Sequence, residues 1–333
     1  MTNSTKTTFH LFWIISLVSI TCSCQNDKGK KPDFVIEKKL VAEKVPIKEV
    51  FSPEFMTKTD DFLLISSSRS DTMIYTYATP SLEHKSHTGV KGGGPDDFSP
   101  LPGFCESNSN SNVYIWGYTP HTIRKFSLNS EGQLVFEKEF LLKKNEEFNN
   151  MYIINDSLFL YYLMEELCIK KYDLIREHPI DELRMEKENH RSSWFFSNRG
   201  NFIANDSTIV FSYLFKKQID IYDLNTMELK TVITDNKKYP KPIVGNFKNT
   251  IQHYTHIVAG KDFFYAVYHG VAGYSDTDTD VIEVYDYNGN AIKKYTFDSR
   301  DTFPYLFEAD ESRGYIYGYN PKQEDYLLKI PLE

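Results

Sequence analysis

The stretch from Tyr152 to Leu174 reads YIINDSLFLYYLMEELCIKKYDL, and the stretch from Phe202 to Leu224 reads FIANDSTIVFSYLFKKQIDIYDL. The Asn-Asp-Ser triplet and the Tyr-Asp-Leu triplet each recur with an offset of 50 residues. Both copies show apolar and alternating runs separated by turn residues, which is typical of β-strands. Asn and Asp favour turns because their side chains accept hydrogen bonds from nearby backbone amides. Each copy therefore predicts most of a four-stranded antiparallel unit.

The same order of strands and turns recurs along the rest of the chain. An aromatic residue marks the third strand of five units, at successive spacings of 49, 46, 50 and 63 residues. These residues are Tyr77, Phe126, Tyr172, Tyr222 and Tyr285. A sixth unit starts at Tyr305 and ends after its third strand. Since four-stranded units at this period are typical of propeller blades, the sequence predicts an all-β fold, a six-bladed β-propeller over residues 33–333. A β-sandwich or two unrelated β-domains fit the regular units less well.

The sixth unit lacks a fourth strand, and the start of the mature chain offers one. The run Asp33–Val41 reads DFVIEKKLV and belongs to none of the six units. We expect it to complete the last blade as its outer strand, so that both ends of the chain are held in one sheet.

The first residues predict a lipoprotein signal peptide over residues 1–23. Lys6 precedes the apolar run Phe9–Ile20, which is shorter than the roughly 20 residues of a membrane span. Ser23 before Cys24 fits the small residue at a bacterial lipoprotein cleavage site, and Cys24 is the predicted lipidation site. Cleavage before Cys22 and an ordinary secretory signal are the alternatives. The expected location is the cell envelope, as an outer-membrane lipoprotein on a polar tether over residues 24–32, facing either the periplasm or the cell surface.

Composition limits the partners. The net charge of −8 is spread along the chain without a basic stripe, which argues against nucleic acid. Cys105 and Cys168 stand 63 residues apart with no motif around them, and we interpret both as buried apolar residues, although a disulfide is permitted. No ligand spacing indicates a metal or cofactor. We expect a monomer.

A glycine-rich stretch, VKGGGPDDFSPLPGF, runs from Val90 to Phe104. It lacks the Gly-Lys-Ser/Thr of a phosphate-binding loop, so a structural turn between the first two units is the favoured interpretation over ligand binding. The Asp side chains are expected to accept hydrogen bonds from nearby backbone amides.

This stretch and the strands after it resemble the NHL-type repeat. The shared features are the glycine turn, Pro95, Asp97 and Phe98, followed by a strand with Arg124 and Phe126. The family's usual Gly-Pro-Gly-Glu-Phe is here Gly-Pro-Asp-Asp-Phe, which loses one turn glycine. Together with the lipoprotein signal, the whole chain resembles the TolB-like six-bladed propeller lipoproteins of Bacteroidetes. That resemblance implies the fold and brings no established activity with it.

Propellers usually bind ligands at one mouth of the central channel. That mouth is formed by the loops between blades and by the loops between second and third strands. We expect that mouth to gather residues that suit the binding of a sugar or a peptide. The alternative for each residue is that its side chain only packs against its own loop. The residues are Arg69, Asp96, Asp97, His121, Arg191, Trp194, Tyr254, His256 and Tyr305.

The run DTDTD over residues 276–280 places carboxylates at alternate positions, as calcium loops do. Val281 and Tyr287 stand where a calcium hand loop needs glycine and glutamate. A solvated loop is the favoured interpretation, and a looser cation site is the alternative.

Two functions remain open from the sequence. The first is a membrane-anchored binding module, with a glycan, a peptide or an envelope protein as its partner. The second is a metal-dependent hydrolase or lyase, which needs several polar side chains converging in the channel. The channel-facing residues expected in the first strands include Cys105, Asn155, Asn205 and Glu308, which are few for such a site.

Overall fold

Twenty-five β-strands and two short 3-10 turns make up the regular structure of the described residues. The computed structural model describes residues 29–50, 52–69, 72–92, 94, 97–107, 109, 111–118, 122–142, 149–187, 196–243, 246–273 and 280–333. The two 3-10 turns are Phe247–Asn249 and Arg300–Thr302.

The strands are short and follow one another with brief connections. The first ten are β1 (Ile36–Leu40), β2 (Glu43–Pro46), β3 (Phe55–Lys58), β4 (Phe62–Ser66), β5 (Thr72–Ala78), β6 (Glu83–Val90), β7 (Phe98–Ser107), β8 (Asn112–Tyr118), β9 (Thr122–Leu128) and β10 (Leu134–Leu141). The next eight are β11 (Asn149–Asn155), β12 (Leu158–Leu163), β13 (Cys168–Asp173), β14 (His178–Arg184), β15 (Gly200–Ala204), β16 (Thr208–Tyr213), β17 (Gln218–Asp223) and β18 (Leu229–Thr234). The last seven are β19 (Ile251–Ala259), β20 (Phe263–Ala272), β21 (Val281–Asp286), β22 (Ala291–Phe297), β23 (Leu306–Asp310), β24 (Tyr315–Tyr319) and β25 (Tyr326–Pro331).

Strands that are consecutive in the chain pair into antiparallel sheets. Strands β3 to β6 form one four-stranded sheet, and β15 to β18 form another. Strands β7 to β14 form an eight-stranded sheet, within which β7 and β11 pair in parallel. Strands β19 to β22 take up β1, and β23 to β25 take up β2. The predicted all-β propeller is confirmed.

Residues 30–46, which we call the belt, pair in turn with three outer strands. Lys30 N donates to Val232 O at 2.8 Å beside β18. β1 then pairs in parallel with β22, with Ile36 opposite Lys293. β2 pairs antiparallel with β25, with Glu43 opposite Lys329.

The belt corrects one expectation about the end of the chain. The run Asp33–Val41 was expected at the edge of the last sheet, and this is wrong because β1 lies against β22. The next strand, β2, occupies the edge of β25 instead. Both segments are short and mix polar with apolar residues, so the sequence alone does not say which open edge each one covers.

The repeated Asn-Asp-Ser triplets form the turns that the sequence predicts. Asn155 Oδ1 accepts a hydrogen bond from Ser157 N at 2.9 Å, and Asn205 Oδ1 accepts one from Ser207 N at 3.0 Å. The equivalent bonds confirm that the two triplets end the first strands of two copies of one unit.

The core lies between neighbouring sheets, where inner strands are covered on both faces. All five residues of β4 and all six of β16 are buried. Across one such boundary the rings of Tyr162 and Phe211 meet edge to face at 5.6 Å. Cys105 and Cys168 are buried, as the sequence predicts, and their thiols are free.

The core also encloses the carboxylate of Glu283. Glu283 on β21 is 2 % exposed, and its Oε2 accepts hydrogen bonds from Tyr254 at 2.9 Å and Tyr285 at 2.6 Å. Lys217 Nζ lies 3.5 Å from Oε1. The buried charge is therefore paired and bonded within the sheet boundary.

Candidate functional site

A cavity of about 1110 Å³ runs along the axis of the propeller. Its wall draws on six strands that each begin an antiparallel series, namely β3, β7, β11, β15, β19 and β23. Since the first strands of a propeller all run in the same direction along the channel, the turns that follow them gather at one end. We call this the hairpin end. The opposite end, where the connections between sheets enter, is the connection end.

The hairpin end is acidic. Among the described residues that line the cavity there are seven carboxyl groups and two lysines. Six of the carboxyl groups lie near the ends of the first strands or in the turns after them. They are Asp60, Glu106, Asp206, Glu308, Asp310 and Glu311. A cavity with this balance attracts cations.

The connection end is aromatic. Phe55, Trp116, Tyr305 and Tyr319 line the cavity there. The rings of Phe55 and Trp116 meet edge to face at 5.8 Å. Glu54 is the acid of this end, and it accepts hydrogen bonds from Ser68 N and Ser68 Oγ.

Glu106 and Glu308 both line the channel, and we call them the carboxyl pair because their charges interact. Burial raises the pKa of Glu106 well above its usual range, and repulsion from Glu308 adds to that shift. Burial raises the pKa of Glu308 to about 8, against the opposing effect of Lys58. The Oε2 atom of Glu106 is closed off from solvent and has no hydrogen-bond partner. Unpartnered buried oxygens of this kind are uncommon because leaving them unbonded costs free energy.

Asp310 differs from this pair because its carboxylate accepts hydrogen bonds from neighbouring side chains. It is 1 % exposed and accepts hydrogen bonds from Ser312 Oγ at 2.6 Å and Arg313 Nη1 at 3.2 Å. Lys58 Nζ approaches it to 3.9 Å. Arg313 also donates to Asp61 at 2.9 Å, so the same network joins the turn after β23 to the turn after β3.

The carboxylate of Glu311 is likewise hydrogen-bonded within the fold. It accepts hydrogen bonds from Asp262 N at 2.7 Å, Phe263 N at 3.2 Å and the hydroxyl of Tyr265 at 3.2 Å. A Cβ on Gly260 would lie only 2.1 Å from Glu311 Oε1, so the glycine leaves room for this carboxylate. Glu311 therefore joins the turn after β23 to the turn after β19.

His256 and Tyr305 are the two predicted mouth residues that line the cavity. Burial lowers the pKa of His256 to about 4, so its imidazole is neutral near pH 7. The hydroxyl of Tyr305 donates to Asp280 at 3.4 Å. Asp280 ends the predicted solvated loop, but it is not solvated, because His269 bonds to it and Arg300 lies 4.0 Å away.

Three other predicted mouth residues that the structure describes, Arg69, Asp97 and Tyr254, do not line the cavity. Tyr254 is 1 % exposed and lies in the core on Glu283, because β19 begins earlier than the sequence suggests. Arg69 is exposed. Asp97 Oδ2 accepts a hydrogen bond from Gly94 N at 2.8 Å, as expected of a structural turn. Asp96, His121, Arg191 and Trp194 lie outside the described residues, as does Cys24, the predicted lipidation site.

The expected channel-facing set was half right. Asn205 and Glu308 line the cavity. Cys105 is buried in the core, and its neighbour Glu106 faces the channel instead. Since successive strand residues point to opposite faces, an error of one residue exchanges the two. Asn155 caps its turn.

Neither a metal cluster nor a membrane span is found in the part of the chain that the structure describes. No group of three or more His, Cys, Asp or Glu side chains there is placed to hold a metal ion. No described segment forms a helix that is long and apolar enough to cross a membrane.

A family model described as TolB-like 6-blade propeller-like matches residues 31–303. The chain belongs to this family. The resemblance inferred from the glycine turn and the repeats is thereby confirmed. No curated protein matches the TolB-like chain.

Solved structures similar to this TolB-like chain include two from Bacteroides. A putative exported protein from Bacteroides fragilis NCTC 9343 has a TM-score of 0.60 at 12 % identity, covering 91 % of this chain and 99 % of its own. A member of the DUF4221 family from Bacteroides vulgatus ATCC 8482 has a TM-score of 0.61 at 14 % identity, covering 88 % and 97 %. Virginiamycin B lyase from Staphylococcus aureus has a TM-score of 0.53 at 11 % identity, covering 89 % and 100 %. At these identities the similarity is one of fold.

Proposed function

We propose that this TolB-like propeller is an exported envelope lipoprotein, anchored through Cys24, that binds a small ligand in its central channel. The observation that carries the binding function is the cavity of about 1110 Å³ with an acidic hairpin end and an unpartnered oxygen on Glu106. A cavity of this size, with a few uncommitted polar groups among apolar ones, is typical of small-molecule sites. A glycan or a peptide fragment is a ligand of suitable size.

The finer architecture is part of the same proposal. We count six blades, with the eight-stranded sheet as two blades joined through β7 and β11. The pairing of β2 with β25 supports closure of the last blade by the N-terminal segment. The six first strands in the cavity wall and the family's description support this count.

Export and anchoring rest on the sequence of residues 1–24 and on the similar fold of a putative exported protein from Bacteroides fragilis. Metabolic labelling with a radioactive fatty acid tests the anchor. We expect the chain to be labelled and to sediment with outer membranes, and Cys24→Ser to lose both properties. Equal labelling of Cys24→Ser would contradict the anchor without touching channel binding.

Channel binding is tested by filling the cavity. Ser107 lines it at the hairpin end, so Ser107→Trp places a large side chain inside. Lys238→Trp adds the same side chain at an exposed position and is the matched control. Each purified chain is mixed with a small-molecule extract of bacterial envelopes and examined by native mass spectrometry. The parent chain and the control should retain a ligand that Ser107→Trp does not. If all three chains retain the same molecules, or none, the function is wrong.

The alternative of a metal-dependent hydrolase or lyase gains no observation from the described residues, where no side-chain group fits a metal ion. We therefore base the proposal on binding.

A further inference from the structure

We propose that Glu106 and Glu308 together bind the ammonium group of an organic cation whose apolar body lies along Phe104 and Leu306. This inference rests on the channel-binding function proposed above and names the chemistry of the ligand. It depends on four features of the hairpin end. They are the placement of the pair, the unpartnered oxygen of Glu106, the apolar wall beside the pair, and the poor fit of a metal ion.

The two carboxyl groups come from strands that flank one other strand. Glu106 lies near the end of β7 and Glu308 near the end of β23, and β3 contacts both strands. Lys58, the last residue of β3, therefore stands between them along the wall. Its ammonium group is directed to Asp310 and to the carbonyl of Thr59, at 3.9 Å and 3.3 Å. The charge of the lysine thus lowers the repulsion between the two carboxyl groups, but its ammonium group does not occupy the place between them.

One oxygen of the pair receives no hydrogen bond from the protein. Two other acids of this end, Asp310 and Glu311, each accept several hydrogen bonds from the protein. Glu106 Oε2 accepts none and is closed off from solvent. An ammonium group has three N–H donors and a positive charge, so one such group satisfies an oxygen of each carboxyl at once.

The wall beside the pair is apolar. Phe104 stands two residues before Glu106 and Leu306 two residues before Glu308, and all four line the cavity. Residues two apart in a strand share a face and are separated by roughly 7 Å. An apolar body of that length, attached to the ammonium group, therefore lies against Phe104 and Leu306 and points to the connection end.

A metal ion fits this place less well. Calcium takes six to eight oxygen ligands and magnesium requires octahedral geometry, whereas the pair offers two carboxyl groups. Within the described residues no third acidic or histidine side chain completes a metal site. An organic cation needs only the charge and the hydrogen bonds.

Binding of the cation should release a proton from the carboxyl pair. The titratable groups that interact with Glu308 are Lys58 and Glu106, and those that interact with Glu106 are Glu308, Cys105, Tyr152 and Tyr287. Below about pH 8 the empty pair holds at least one proton, because burial raises the pKa of Glu308 to about 8. An ammonium group stabilises the carboxylate form, so it displaces that proton to solvent. With one proton released, affinity should rise about tenfold per pH unit between pH 6 and pH 8.

The test uses two probes that differ only in the charged group, 2-phenylethylamine and 2-phenylethanol. Isothermal titration calorimetry on the full chain at pH 6, 7 and 8, in two buffers of different ionisation enthalpy, measures affinity and proton release. We expect the amine to bind with an affinity that rises with pH, and the alcohol to bind at least about tenfold more weakly. Glu106→Gln and Glu308→Gln should each weaken the amine about tenfold and flatten the pH dependence.

Glu228→Gln, on an exposed turn, removes one carboxylate elsewhere and should leave binding unchanged. Melting curves of all variants confirm folding before titration. Equal affinity for amine and alcohol, no amine binding at pH 8, or a pH-independent affinity each overturns the inference. If Ser107→Trp still loses an envelope ligand while the amine fails to bind, channel binding stands and the cation class is wrong.

Discussion

Two buried carboxylates occupy the same position in neighbouring sheets. Asp220 and Glu283 each stand two residues before the third-strand tyrosine, Tyr222 and Tyr285. Asp220 is 4 % exposed and accepts hydrogen bonds from Tyr213 at 2.6 Å and Tyr222 at 3.1 Å. Glu283 repeats the arrangement with two tyrosines. Burial, strengthened by the nearby charge, raises the pKa of these tyrosines, so they remain donors at any physiological pH.

Removal of the Glu283 carboxylate should destabilise the chain strongly. Glu283→Ala leaves Lys217 and two buried hydroxyls without their partner, which should lower the free energy of unfolding by about 3 to 5 kcal/mol. Glu283→Gln keeps an oxygen acceptor and should cost about 1 to 3 kcal/mol. Urea denaturation followed by tyrosine and tryptophan fluorescence measures both. Equal stability of the Ala and Gln variants would show that the carboxylate is not bonded as described.

These residues mark the limit of prediction at this scale. The alternation in VIEVYD predicts that β21 is a strand but treats Glu283 as the polar, outward side. In this fold both faces of an inner strand are covered by neighbouring sheets, so the outward side is also buried. The exchange of Cys105 and Glu106 has a related cause, because a shift of one residue in the predicted register reverses which side chain faces the channel. The turn residues were predictable, since their bonds are local.

At the scale of elements, the belt covers strand edges that would otherwise be open. An exposed edge strand presents unpaired backbone groups to other chains and promotes aggregation. β2 covers the edge of β25, and residues after it, Ile47 and Val50, are buried at 4 % and 5 % exposure. β1 covers the edge of β22 and buries Leu40.

Truncation at two positions tests the contributions of β1 and β2 to stability one after the other. A chain that starts at residue 42 loses β1, and we expect it to fold with a melting temperature lowered by several degrees, because one short strand and one buried leucine are lost. A chain that starts at residue 49 also loses β2 and exposes β25, and we expect it to aggregate. Thermal melting and size-exclusion chromatography compare both with a chain that starts at residue 29. A monomeric, cooperatively melting chain from residue 49 would contradict the role given to β2.

At the scale of the whole molecule, the buried pair links stability to pH. Burial raises the pKa of Glu308 from its ordinary 4.5 to about 8. Between these values the folded chain keeps the proton and the unfolded chain loses it. The contribution of Glu308 to stability is therefore complete below about pH 4.5 and is lost as pH rises toward 8.

Glu308→Gln should remove this dependence. The variant should gain several kcal/mol over the parent at pH 8 and little at pH 5, since each unit of pKa is worth about 1.4 kcal/mol. Urea titrations at both pH values measure the difference, with Glu228→Gln as the control of an exposed carboxylate. Parallel stability curves for the parent and Glu308→Gln would exclude a protonated Glu308 in the folded chain.

The repeat of 50 residues was enough to predict the propeller, because each unit repeats the same local turns. The channel was harder to predict, since Glu106 and Glu308 are about 200 residues apart in the sequence and meet only after the units form a ring. The mouth was predicted at the connection end, and the acidic cluster lies at the hairpin end. Short turns such as that after β23 carry little signal compared with long loops.

The resistance of the molecule to a mechanical force applied near Lys30 depends on how the belt is paired. A pull across the strands breaks the hydrogen bonds of Lys30 first, then opens β1 from β22 one pair at a time, at low force. A pull along β1 loads its five residue pairs together in shear and meets much greater resistance. The sheet closed by β2 is reached last in either case. If the chain is anchored through Cys24 as proposed, tension on it would therefore lengthen it by release of the belt before any of the inner strands is disturbed.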